Sequence, residues 1–98
     1  MPKAYWVVTY RSIKNEAAWQ AYAKLAVPAI NAAGGRFIVR TKPAKTWEAG
    51  MNERVVVVEF DNLEQAIAAH DTPGYLEALK VLGSGNVERD MRVVEAAA

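Results

Sequence analysis

The sequence predicts an α+β domain of ferredoxin-like type: a βαββαβ chain with a four-stranded antiparallel sheet, both helices on one face, paired with a second copy into a dimeric α/β barrel. Three observations lead there. Segments with period-two alternation and segments with helical spacing follow one another as strand, helix, strand, strand, helix, strand. The third strand, RVVVVEF at 54–60, is apolar on both faces, so both faces need cover. Ninety-eight residues make a single domain, 1–98, and its helices can cover only one side of the sheet.

The elements are justified in order. AYWVVTYRSI (4–13) is rich in aromatic and β-branched residues, with Tyr5, Val7, Thr9 and Arg11 on one face and Trp6, Val8 and Tyr10 on the other. Asn15 caps a helix in which Trp19, Tyr22, Ala26, Ala29, Ile30 and Ala33 form one stripe. Because the stripe stays in phase across Pro28, that proline is expected to kink the helix without ending it. Gly34-Gly35 closes the helix, since glycine accepts the left-handed cap conformation. RFIVRT (36–41) is a strand, with Arg36, Ile38 and Arg40 alternating against Phe37, Val39 and Thr41. Pro43 interrupts it, and KTWEA (45–49) is expected as a bent continuation before a turn at 50–52.

After the valine-rich strand, Asp61 or Asn62 caps a helix with Leu63, Ala66, Ile67 and His70 in phase. Thr72-Pro73 breaks that helix and starts a second piece, in which Tyr75, Leu79 and Leu82 share a side. GSGN (83–86) is a flexible connector. DMRVVEA (90–96) is a short last strand.

Composition excludes several function classes. Lys plus Arg number 12 against 11 for Asp plus Glu, so no net field favours nucleic acid or an anionic membrane. The sheet also lacks the aromatic-rich motif of RNA-recognition domains, and GSG at 83–85 lacks the features of a phosphate loop. No segment is apolar and long enough for a signal peptide or a membrane span. With no cysteine and one histidine, no disulfide, thiol nucleophile or transition-metal site is expected, and a cytoplasmic location fits.

The stretches AYWVV, PAINAAGGRFIVR, WEAG, ERVVVVEFDNLEQA and TPGY followed by AL resemble the uncharacterised family known as domain of unknown function 1330. The similarity runs from Ala4 to about Glu95 and is most specific at the Gly-Gly-Arg-Phe and Val-Val-Glu-Phe motifs. It implies a dimeric α/β barrel, related in fold to small monooxygenases and isomerases that use no metal or flavin. The chain departs from the pattern at Ala69 and His70, where aromatics are common, and at Gly74, where an acidic residue is common.

Two groups of residues carry candidate chemistry. His70 is a candidate acid or base beside Asp71, although adjacent helical residues diverge by about 100°. Its alternative is a packing role at a helix end, favoured by the helix dipole. Glu59 shares a strand face with Val55 and Val57, opposite Phe60, and is the other catalytic candidate. Arg40 and Arg36 on the neighbouring strand are expected on the same barrel side, Arg40 pairing with Glu59 across the strands. Such a carboxylate and guanidinium either orient a polar ligand or form a structural ion pair at the sheet edge. The candidate ligand contacts are thus Arg36, Arg40, Glu59 and Tyr75, with no cofactor.

Two functions follow. One is a small-molecule-binding protein acting as a cofactor-independent enzyme, isomerase- or monooxygenase-like, on a ligand held between sheet and helices. The other is a non-catalytic binding or scaffold protein with the same barrel. Both use a homodimer through the open sheet face.

Overall fold

A computed structural model describes residues 2–97. Its elements are β1 (Ala4–Ile13), α1 (Glu16–Ala32), β2 (Arg36–Thr41), β3 (Val55–Phe60), α2 (Leu63–Ala69), α3 (Pro73–Leu82) and β4 (Val87–Glu95). The strands form one antiparallel sheet in the order β2-β3-β1-β4, which is the ferredoxin-like arrangement expected.

Local chemistry fixes the ends of the helices. The Asn15 side chain accepts from the Ala18 amide, Asn62 from Gln65 and Thr72 from Tyr75, each satisfying an otherwise orphaned donor. Pro28 sits inside α1, which runs unbroken past it. Gly35 is dictated by packing: a Cβ there would lie 2.6 Å from Ile30 and 2.8 Å from Val58, closer than atoms can approach. This close contact brings the end of α1 down onto β3.

The core lies on the helix side of the sheet. Trp6, Val8, Tyr10, Val58 and Phe60 meet Tyr22, Ala26, Ile30, Ala66, Ala69, Tyr75, Ala78 and Leu82 there. The Trp6 indole N–H donates to the Ala66 carbonyl at 2.7 Å and so ties α2 to the sheet. The backbone of α1 comes closest to α3 rather than to a strand. Its inward stripe is partly alanine, so a gap remains between α1 and the β2–β3–β1 half of the sheet.

Three expectations are corrected. Residues 45–49 form no strand; the chain from 42 to 54 is irregular, because Pro43 ends pairing and no neighbouring strand remains beyond β2. The last strand begins at Val87, three residues earlier than predicted, because Ile13, Ser12 and Tyr10 extend β1 far enough to pair Val87, Glu88 and Arg89. Most consequential is a β-bulge in β2. Arg36 faces Glu59 and Phe37 faces Val58, but the next pair is Val39 with Val57, so Ile38 is the extra residue. Beyond it the alternation is reversed, and Arg40 stands opposite Val56, on the helix side.

The other face of the sheet is bare. Register places Arg36, Val39 and Thr41, then Val55, Val57 and Glu59, then Tyr5, Val7 and Thr9, then Asp90, Arg92 and Val94 on it. Its centre is apolar through Val7, Val55 and Val57, and on the edge strands Val39 and Val94 are 38% and 41% exposed. Ion pairs mark two of its edges: Arg36 with Glu59 at 3.1 Å and Asp61 at 2.9 Å, and Arg92 with Asp90 at 3.0 Å.

Candidate functional site

The gap under α1 is a cavity of about 180 Å³. Its floor is β1 and β3, through Trp6, Val8, Val56 and Val58, and its roof is α1, where Ala23 and Ala26 leave the space open. Trp19 and Phe37 wall it. Its polar groups are three tyrosines, Tyr10, Tyr22 and Tyr75, and three arginines, Arg40, Arg54 and Arg89.

Arg89 organises the polar end. Its Nη1 donates to the Tyr10 hydroxyl at 3.2 Å and the Tyr22 hydroxyl at 3.1 Å, and its Nη2 to Tyr75 at 3.3 Å. The Tyr22 and Tyr75 hydroxyls lie 2.8 Å apart, and Trp19 Nε1 donates to Tyr10 at 3.2 Å. Burial, with Tyr75 next to it, pushes the Tyr22 phenol far above its ordinary value, so Tyr22 is a neutral hydroxyl. Burial pulls Arg89 down, but Tyr22, Tyr75 and Tyr10 outweigh it, and the guanidinium keeps its proton. At the rim the Arg54 guanidinium stacks 4.7 Å over the Trp19 ring, and Arg40 stacks 5.0 Å over Phe37.

The residues singled out from sequence fall in three places. Tyr75 and Arg40 line the cavity. Arg36 and Glu59 are brought together, but on the bare face, and the expected Glu59–Arg40 pair does not form because the Ile38 bulge turns Arg40 away. His70 caps α2 outside the cavity, separated from it by Trp6 and Tyr75, whose rings it approaches at 6.3 and 5.3 Å. Its Nδ1 does lie 3.0 Å from Asp71, since both residues fall beyond the last helical turn. The two flank a shallow surface hollow with Ile67, Met91 and Val93. The sequence alone does not single out Arg89, Arg54, Tyr10 or Tyr22 as site residues. Tyr10 and Tyr22 share their stripes with ordinary core residues, and Arg89 lay outside the predicted last strand.

This arrangement supplies donors and positive charge. It can hold an acceptor, polarise a carbonyl or stabilise an oxyanion. No Asp, Glu or His is among the described lining residues, so it offers no carboxylate or imidazole base. Among the described residues no cluster of His, Cys, Asp and Glu is suited to a metal ion, and no helix is long and apolar enough to cross a membrane.

Known structures share the fold. A protein of unknown function from Rhodopseudomonas palustris, RPA0582, superposes with a TM-score of 0.78 at 14% identity, covering 99% of this chain and 84% of that one. SnoaB, a cofactor-independent oxygenase from Streptomyces nogalater, gives 0.62 at 14% identity, over 100% and 96% of the two chains. A nipsnap family protein of unknown function from Agrobacterium tumefaciens gives 0.56 at 21% identity, over 98% and 89%. No curated protein matches the sequence significantly. The family described as Domain of unknown function (DUF1330) matches residues 3–97, and the chain belongs to that family.

Proposed function

We propose that this protein binds a small organic molecule in the cavity under α1, and that its chemistry, where it has any, is cofactor-independent stabilisation of negative charge on that molecule. The observation that carries the reading is the Arg89 cluster: a guanidinium with three phenols at the end of a cavity whose floor and roof are apolar. Arg89 is half-buried and has no carboxylate partner among the described residues, so its charge is neutralised by no ion pair and is left facing the cavity. SnoaB, an oxygenase without a cofactor, has the same architecture, which supports an oxygenase-like reaction here. In that reaction Arg89 and the Tyr22–Tyr75 hydroxyls would hold a developing oxyanion. The substrate would have to be acidic enough to lose its proton to solvent water, because no carboxylate or histidine among the described residues lines the cavity.

The same observation favours a second reading, a non-catalytic carrier or sensor built on the same cavity. In both readings the functional unit is a homodimer joined through the bare sheet face. Arg36 and Glu59, which lie on that face, then belong to the subunit contact rather than to the ligand.

The test is a fragment screen followed by backbone and indole NMR. Ligands are expected to shift the Trp6 and Trp19 indole signals, and Ala23→Leu, which fills the roof, is expected to abolish binding. Shifts confined to the bare face or to the hollow beside His70 would sink the cavity assignment. Turnover of a bound ligand in air or buffer would separate the enzyme from the carrier.

A further inference from the structure

Deepening that reading of the same cavity, we infer that its ligand is an organic carboxylate: one ring, or an aliphatic body of similar size, bearing a single carboxylate held by Arg89 with Arg40 and Arg54 at the rim. The inference rests on a donor and acceptor inventory. A guanidinium has five N–H groups, of which Arg89 commits three to tyrosines, leaving one on Nη2 and the one on Nε without a partner among the described residues. No buried side-chain nitrogen or oxygen lacks a partner in the described structure, so the free Nε–H is open to solvent rather than stranded.

The phenols add to the surplus. Tyr10 accepts from both Trp19 and Arg89, which occupies its lone pairs and leaves its own proton to donate. Tyr22 and Tyr75 each accept from Arg89, and one proton suffices for the bond between them, so the other has no acceptor among the described residues. Arg40 and Arg54 have aromatic rings beneath them but no carboxylate within ion-pair distance among the described residues. Three cations and several unspent donors thus converge on a space lined by no acid. Their complement is a group made only of acceptors and carrying negative charge.

The rest of the cavity describes the rest of the ligand. Val8, Val56, Val58, Ala26, Ile30 and Phe37 offer nothing polar, so the body is apolar. The volume, about 180 Å³, is close to the ~150 Å³ engineered cavity that holds benzene, so a body of about six to eight carbon atoms fits. A bare inorganic anion would leave this apolar space unused.

Phenylacetate and its neutral isostere phenylacetamide, titrated against the intact protein by tryptophan fluorescence at low and high salt, test this. Phenylacetate is expected to bind at least tenfold more tightly at low salt, with the preference shrinking as salt is added. Arg89→Met is expected to remove the preference while leaving amide binding in place. Should that variant fail to fold, Arg54→Met at the rim is expected to reduce phenylacetate affinity several-fold and leave the amide unchanged. Equal binding of acid and amide, or a preference that survives in a folded variant, overturns the carboxylate assignment but not the cavity. Inorganic phosphate competing as well as phenylacetate overturns the organic body. Binding of neither probe, with no neutral fragment reaching the Trp6 and Trp19 indoles, overturns the cavity reading together with the assignment.

Discussion

Single side chains decide what this cavity can do. Tyr22 is held neutral by burial and by Tyr75, which ties its protonation to stability. A free tyrosine ionises near pH 10, and Tyr22 in the folded chain only well above that. Above pH 10 the unfolded chain therefore binds fewer protons at this site than the folded one, and stability must fall as pH rises. Below pH 10 the contribution is fully present. Tyr22→Phe is expected to flatten the alkaline limb of a stability-versus-pH curve measured by urea unfolding between pH 8 and 11; an unchanged limb would mean that Tyr22 ionises normally. Glu59→Gln makes the opposite kind of test. Its partner Arg36 is exposed on the bare face, far from the Arg89 cluster. The substitution is expected to leave stability nearly unchanged and ligand affinity unaffected, and a tenfold loss of ligand affinity would return Glu59 to the site. Sequence alternation placed Glu59 on the correct face, because β3 is regular from Val55 to Phe60. It misplaced Arg40 because a bulge is set by how two strands twist together, and the string RFIVRT carries no mark of it.

At the scale of elements, what could be read from sequence was what local chemistry dictates. Asn15, Asn62 and Thr72 cap helices where their side chains reach the free amides, and Thr72-Pro73 divides α2 from α3 as proline requires. The start of β4 escaped because Val87–Arg89 gain strand structure only by pairing with the far end of β1. That long-range pairing is also what delivers Arg89 to the cavity, so the site's central residue was hidden with it. Helix α1 shows how tertiary packing overrides propensity. Pro28 removes one backbone bond from the helix interior, yet Tyr22, Ala26 and Ile30 remain buried on one continuous stripe. The ring itself is exposed and contributes little packing. Pro28→Ala is therefore expected to raise stability by about 2 kcal/mol, most of the usual penalty for proline inside a helix. The denaturant midpoint checks it. A loss of stability would mean that Pro28 itself is needed to seat the end of α1, where Gly35 lets it touch Val58.

For the whole molecule the open question is what covers the second sheet face. The face measures roughly 19 by 20 Å at standard strand spacings, about 380 Å² in flat projection, or about half of the ~800 Å² each partner buries in a stable interface. The irregular segment 42–54 extends it. Trp47 and Met51 are exposed by 71% and 51%, and their loop lines a cleft with Thr9, Arg11 and Val55 beside the bare face. A second copy packed face to face would cover the valines and give the two loops something to grip, whereas a monomer leaves all of this apolar surface in water. The protein is therefore expected to scatter light as a particle of twice the 10.8 kDa chain mass at micromolar concentration. Val57→Lys sets a charge at the centre of the face, where a two-fold partner would set its own against it. That variant is expected to remain folded, because Val57 points away from the core, and to run as a monomer. Trp47→Ala is expected to weaken the dimer without abolishing it. If the parent chain is a monomer, or if the lysine variant still pairs, the sheet face is not the interface. If the lysine variant becomes monomeric and still binds phenylacetate as the parent does, each chain carries a complete cavity, and the dimer serves to cover the sheet rather than to build the site.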